Sequence, residues 1–363
     1  MEKAICLKKV VEMMLSLKDK EWDEFYIVDY FTPQRGREGN MTGLSLGNVP
    51  LISAKKTSNG LKAFVSVPSE RLHLGHVITL NNDGDGGAGL AYYQPFSSAL
   101  DTHVTALRPV SPLSKYALIF ISSAISKQGE KFGHGHAISN SRLKKMKMLL
   151  PINEVGKPDF PYMEEYIRKQ EQLRITEYST YANKVLADVG EVKDVLPLKD
   201  KKWRAFRIED IAKVEPGRDI YDAERKPGHT PYISSTSINN GIAHYVSNDN
   251  STKEESCISV NRNGSVGYAF YHPYKALYSN DCRKLRLNQP LKYVSIFIAN
   301  QITSQRDKYS YGYKMGTARL KRQSILLPVN ERNELDWAYM EQYTKFILRQ
   351  QLKTYLSQKD IRK

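Results

Sequence analysis

The chain is written twice. Leu17-Lys18-Asp19-Lys20-Glu21-Trp22 returns as Leu198-Lys199-Asp200-Lys201-Lys202-Trp203, an offset of 181 residues. The same offset carries Phe25, Ile27 and Asp29 onto Phe206, Ile208 and Asp210. It also carries Pro50, Ile52 and Ser53 onto Pro231, Ile233 and Ser234, and Gly60 onto Gly241. Further along the offset shortens to 177, which matches Arg142-Leu143-Lys144 to Arg319-Leu320-Lys321, Leu149-Leu150-Pro151 to Leu326-Leu327-Pro328, and Tyr162-Met163-Glu164 to Tyr339-Met340-Glu341. A period near 180 residues is the size of a whole domain and far too long for a solenoid repeat. Whatever one half folds into, the other half must fold into as well.

Each copy follows one internal plan. A short helical lead-in covers 1–20, where Ile5, Val10, Met13, Met14 and Leu17 fall near helical spacing. A strand-rich body follows at 21–160, with its twin at 201–336. Val77 to Leu80 and Cys257 to Val260 are short β-rich runs, each followed by a Gly- and Asn-containing turn and an aromatic run. A helix is predicted at Lys115 to Gln128 and at Leu291 to Gln305. A long polar helix closes each copy, in a central spacer segment 161–200 and a C-terminal spacer segment 337–363. Met163, Tyr166, Ile167 and Leu173, and then Met340, Tyr343, Ile347 and Leu352, form apolar stripes of the kind that line a helix–helix seam or a partner-docking face. The expected class is α+β: two tandem recognition domains with strand-rich α/β bodies, joined by long antiparallel helices and related by a pseudo-two-fold. At 1.5 Å per residue the first long helix spans roughly 40 Å, close to the ~34–36 Å of one turn of B-DNA.

Charge narrows the partner. Lys and Arg total 54 against 39 Asp and Glu, a net charge of +15, which favours a polyanion. No run approaches the ~20 apolar residues needed to cross a bilayer, and the N-terminus lacks the apolar core of a signal peptide. Three scattered cysteines, Cys6, Cys257 and Cys282, suit neither a disulfide framework nor a zinc site. A cytoplasmic protein with reduced thiols is expected, with no membrane partner.

Several motifs imitate catalytic ones. Gly84-Asp85-Gly86-Gly87-Ala88-Gly89 fits G-x-G-x-x-G, but a dinucleotide loop must open a helix. Here Leu90 to Pro95 reads as another strand, and the second copy shortens the turn, so a hairpin is expected. There is no P-loop, no G-x-S-x-G elbow and no Asn/Asp-Pro-Pro-Tyr/Phe run of the kind amino-methyltransferases use. His134-Gly135-His136 is replaced by Tyr311-Gly312-Tyr313 in the second copy, so a shared role there needs no metal. No catalytic, cofactor or metal residue is assigned.

Copies that read different DNA sequences should share scaffold and differ in the loops, which is the observed pattern. Three loops per copy carry side chains able to pair with bases or phosphates. The first holds Arg35 and Arg37, against Arg218 and Arg225. The second holds Lys55, Lys56 and Ser58, against Ser235, Thr236 and Asn239. The third holds His134, His136, Asn140 and Arg142, against Tyr311, Tyr313, Lys314, Thr317 and Arg319. Arg142 and Arg319 occur in both copies and suit phosphate or scaffold; the positions that differ suit base contacts. A self-sufficient nuclease or methyltransferase, or a basic RNA-binding or architectural protein, stays open as an alternative at this point.

The paired W-x-x-F-x-I-x-D openings (Trp22, Phe25, Ile27, Asp29; Trp203, Phe206, Ile208, Asp210), the Pro-x-Ile-Ser elements and the Leu-Leu-Pro ends before a long helix give a resemblance. The chain resembles the specificity subunits (HsdS-type) of type I restriction-modification systems and the related small subunits of BcgI-like type IIB enzymes. That resemblance implies a non-catalytic subunit with two target-recognition domains, each reading one half of a split sequence in double-stranded DNA. It implies helices that fix the gap and dock two adenine-N6 methyltransferase (M) subunits. It places S-adenosylmethionine, and Mg2+ with ATP in a type I system, in partner subunits: the M subunits, and restriction (R) subunits or a fused nuclease-methylase.

Overall fold

A computed structural model describes residues 16–84, 87–127, 137–308 and 314–361. The chain divides into two compact units, 1–178 and 179–363. The lead-in helix expected at 1–20 lies mostly outside the described residues; its described tail is one 3-10 turn, Leu17–Asp19, capped by the Ser16 hydroxyl.

In the first unit β1 (Trp22–Tyr26) passes through a single helical turn, α1 (Ile27–Tyr30), into β2 (Phe31–Arg35). Then come β3 (Leu46–Ile52), β4 (Leu61–Val65), β5 (Val77–Asn81), β6 (Ala91–Gln94), β7 (Ala99–Leu100) and β8 (Val104–Pro109). They are followed by α2 (Lys115–Ser126), α3 (Asn140–Leu143), β9 (Lys147–Pro151) and α4 (Phe160–Val189). A four-stranded sheet runs β2-β8-β5-β6, a three-stranded sheet β4-β3-β7, and β1 pairs with β9. Strand β5 is buried at every position and takes both central neighbours, as its unbroken Val-Ile-Thr-Leu run requires. Strands β5 and β6 are antiparallel neighbours, so the glycine-rich run between them is a hairpin connection and not a strand-to-helix phosphate loop.

Helix α2 starts at a Ser114 cap and turns Leu118, Ile121 and Ile125 into the core. Its Phe120 stacks on Trp22 at 6.2 Å and meets the edge of Tyr166 at 5.7 Å. The Trp22 indole donates to Leu17 O at 3.1 Å, and Lys20 bridges Asp159 at 2.7 Å. The root of α4 is thereby fastened to the body of its own domain.

The second unit repeats this order. It comprises β10 (Trp203–Arg207), α5 (Ile208–Ile211), β11 (Ala212–Pro216), β12 (Pro227–Ile233), β13 (Ile242–Val246) and β14 (Cys257–Asn261). Then follow β15 (Ala269–His272), β16 (Leu277–Tyr278), β17 (Cys282–Leu287), α6 (Lys292–Ser304), α7 (Thr317–Arg322), β18 (Ser324–Pro328) and α8 (Trp337–Ile361). Its sheets run β11-β17-β14-β15, β13-β12-β16 and β10-β18, the same topology. Trp203 stacks on Phe297 at 6.3 Å, Phe297 meets Tyr343 at 6.0 Å, and Lys201 bridges Asp336 at 2.6 Å.

The apolar stripes of the long helices need a correction. Met163 is fully buried in the core of the first unit, with Tyr166 and Ile167 packed against it. Met340 and Tyr343 do the same in the second. These five residues anchor each helix to its own body rather than facing outwards, because the helix must first bury its base on the sheet and helix it follows. Leu173 is buried, Ile347 is half-buried, and Leu352 joins Ala182, Val185, Val189 and Tyr293 in a separate cluster of the second unit.

One buried pair differs between copies in a way that pH can read. Thr79 accepts from the Gln94 amide at 3.1 Å, whereas its counterpart Ser259 meets His272 Nε2 at 2.8 Å. Burial pushes the His272 imidazole down to about 4 from 6.5. The unfolded chain takes up a proton below about 6.5 that the folded chain excludes, so stability is full above that pH and falls towards 4. Between pH 6.5 and 5 the loss amounts to about 2 kcal/mol. Urea unfolding at pH 7 and pH 5 checks this: His272→Gln, the side chain of the other copy, should flatten the difference, and a variant that tracks the parent profile would reject it.

Candidate nucleic-acid interface

Three loops in each domain are tied to one end of the four-stranded sheet. In the first domain the tie points are Asn81 and Asn82 at the end of β5 and residues 100–104 leading into β8. Arg35 Nε donates to Thr102 O at 2.6 Å, and the Arg37 amide to Leu100 O at 2.9 Å. Asn81 Nδ2 donates to Lys55 O at 3.2 Å, and the Ile138 amide to Asn82 O at 2.6 Å. The second domain repeats all but the Arg35 tie, whose position holds Pro216: the Arg218 amide to Tyr278 O at 2.8 Å, Asn261 Nδ2 to Thr236 O at 3.0 Å, and the Met315 amide to Arg262 O at 3.2 Å. Loops far apart in sequence are thus gathered on one rim.

A close approach explains two glycines. A Cβ on Gly36 would lie 2.0 Å from Asp101 O, and one on Gly217 equally close to Ser279 O. No side chain fits there, so the first loop can cross the rim only with glycine at its base. The second loop carries another shared device: Ser58-Asn59-Gly60 and Asn239-Asn240-Gly241 are each three successive residues at positive φ. Asn tolerates that region better than most residues, at modest cost.

The predicted contact residues differ in exposure and in the partners that hold them. Lys56, Ser58 and Asn140 are exposed on the rim of the first domain, as is Arg37, whose Nη1 donates to Glu70 O at 2.9 Å; Arg218, Asn239 and Lys314 are exposed on the second. Ser235 and Thr317 are half-buried there. Arg35 ends strand β2 rather than starting a loop, because its segment pairs with β8 through Thr105. Lys55 is half-buried and turns its ammonium back onto Leu61 O at 2.9 Å. Thr236 Oγ1 accepts from the Ile238 amide at 3.3 Å. Arg225 is an internal clamp: it donates to Ile220 O at 3.0 Å, bridges Asp222 at 2.5 Å, meets His244 Nε2 at 2.8 Å and covers the Tyr232 ring. Its fork is committed before any nucleic acid arrives. Arg142 and Arg319 each donate to the carbonyl five residues earlier, Ala137 O and Lys314 O, which pins the third loop. His134, His136, Tyr311 and Tyr313 lie outside the described residues.

Sequence reasoning missed the supports, Asn81 and Asn261. They match at an offset of 180 as the last residues of β5 and β14, and that match was the available signal. It also missed Asn82 and Arg262, which hold the third loop through their carbonyls.

Elsewhere the chemistry is inert. Burial pushes the Cys257 thiol up to about 11 and Cys282 to about 12, so neither is a thiolate near neutrality. Among the described residues no cluster of His, Cys, Asp and Glu could hold a metal, and no helix is long and apolar enough to cross a membrane.

The sequence matches the type I restriction modification DNA specificity domain twice, over residues 19–177 and 200–358. The chain belongs to that family. It is therefore a specificity subunit of a restriction-modification system, a DNA-recognition protein without catalysis of its own. It is 34% identical over 329 residues to the specificity subunit S.BcgI of a type II restriction enzyme from Heyndrickxia coagulans, covering 89% of this chain and 93% of that one. It is also similar to a type I restriction-modification S subunit from M. genitalium, at 14% identity and a TM-score of 0.49, covering 95% of this chain and 94% of the other. An HsdS subunit from Thermoanaerobacter tengcongensis aligns at 13% identity and a TM-score of 0.32, over 95% of this chain and 93% of the other. In a specificity subunit the duplicated loop rim has an immediate use: one scaffold, built twice, presenting two different sets of side chains.

Proposed function

We propose that each rim reads one half of a bipartite target in duplex DNA. The bodies at 21–160 and 201–336 press their loops into the major groove. The segments 161–200 and 337–363 set the gap between half-sites and dock adenine-N6 methyltransferase subunits, one for each copy. Those partners bring S-adenosylmethionine. Restriction subunits using ATP and Mg2+, or a fused nuclease-methylase, complete the complex in the cytoplasm. Exposed Arg37 and Arg218, common to both copies, serve phosphates and supply sequence-independent affinity. Lys56, Ser58 and Asn140, against Ser235, Asn239, Lys314 and Thr317, differ between copies and serve bases.

The observation that carries this reading is the pattern on the rims. Their backbone ties are repeated residue for residue, while the side chains they present diverge. The experiment is an exchange of residues 203–336 for the corresponding body of a related specificity subunit, followed by genome-wide mapping of N6-methyladenine. One half of the recognised sequence should change and the other persist. A motif that changes in both halves, or in neither, would overturn the reading.

A further inference from the structure

The centre of the rim is occupied differently in the two copies. In the first, Asn82 is buried and its Oδ1 accepts from Thr105 Oγ1 at 2.9 Å, a neutral pair whose Asn82 Nδ2 is buried without a partner. In the second, the equivalent places hold Arg262 and Arg283. Arg283 is only 6% exposed. Its Nη1 donates to Asn280 O at 2.8 Å and Cys282 O at 2.9 Å, while its Nε is buried without a partner. Arg262 is half-buried and reaches the same Asn280 O only at 3.3 Å, so two guanidinium groups converge on one carbonyl.

Arg262 makes no ion pair among the described residues, and Asp281 Oδ1 is engaged by Asn263 Nδ2. Its main chain is rigid: the amide donates to Asp281 O at 2.8 Å and the carbonyl accepts from Met315. The root is therefore fixed between the turn that leads into β17 and the third loop. The like charge of Arg283 on the same carbonyl opposes a closer approach of the tip than that long contact. Apart from that one bond the guanidinium donates to nothing among the described residues, and the groove edge matching its fork is guanine O6 and N7.

We propose that Arg262 is a specificity-determining residue of the second domain, taking the major-groove edge of a guanine, with Arg283 as its positioning residue. The proposal rests on the bipartite-reading function above. It also states an asymmetry: the first domain, closed by Asn82 and Thr105, has no such contact at that point.

The test uses the chain expressed with its methylating partner, and N6-methyladenine maps for the parent, Arg262→Gln, Arg262→Lys and Arg283→Thr. The parent should give a split motif. Both Arg262 variants should relax one G·C position in one half, on the order of ten- to a hundredfold, and leave the other half untouched. Lysine keeps the charge but not the fork, so it should not rescue. Arg283→Thr, the side chain of the first copy, should relax the same position less. Motifs that stay sharp while methylation falls evenly at all sites would mean a phosphate contact and would overturn the assignment. So would an Arg283→Thr protein that loses only melting temperature, for the positioning role. A parent map with no split motif would instead sink the underlying reading, before any variant is considered.

Discussion

Four residues inserted between Arg168 and Arg174 should lengthen the unread gap of the DNA target by about two base pairs and leave both half-sequences unchanged. The insertion adds one helical turn, about 6 Å, against a rise of about 3.4 Å per base pair. The site matters. Met163 and Ile167 are packed into the first body, and Ala182, Val185 and Val189 into a cluster of the second unit. Lengthening either end would tear a packed contact. Apart from buried Leu173, the stretch between them is largely polar and is flanked by its own support, with ion pairs Glu164–Arg168 at 2.6 Å, Glu165–Lys169 at 2.9 Å and Arg174–Glu177 at 2.8 Å. Such i,i+3 and i,i+4 pairs add only about 0.2–0.5 kcal/mol each, enough to help a helix tolerate a longer register. Mapping methylated adenines in cells carrying the insertion decides the matter. A motif with the original gap would show that the helix does not set the distance.

Met163→Ala and Met340→Ala should each cost the isolated chain about 2–5 kcal/mol, the range for truncating a fully buried Met. Both side chains are 0% exposed and sit in the core of their own domain. A docking-face role makes the opposite prediction, an unchanged melt and a weakened complex. Chemical unfolding of the purified chain without partners separates the two. If Met163→Ala melts like the parent yet fails to bind its methyltransferase, the core assignment is wrong.

The duplication made much of this protein legible. Matching offsets located both bodies, both long helices and the three loops of each rim, because repetition marks whatever the fold requires twice. Trp22 and Trp203, or Lys20 and Lys201, could be singled out as scaffold without knowing their partners. The partners themselves, Phe120 and Asp159 in one copy and Phe297 and Asp336 in the other, lie about a hundred residues or more away and had no local signature. The apolar stripes were visible in the sequence, but periodicity says only that a face is buried. It does not say whether the burial is against the chain's own sheet or against another helix.

The loop residues show the same limit more sharply. Arg225 and Arg218 are alike in kind: both are basic and stand in one polar loop. In the fold Arg225 is spent on Ile220, Asp222 and His244, while Arg218 stays exposed. Composition and repetition alone determined that a basic module is built twice with a common scaffold and divergent loops. Only the tertiary structure decided which side chains those loops hold in reserve. A hydrogen bond depends on groups brought within about 3 Å, and that proximity is created by folding rather than by order along the chain.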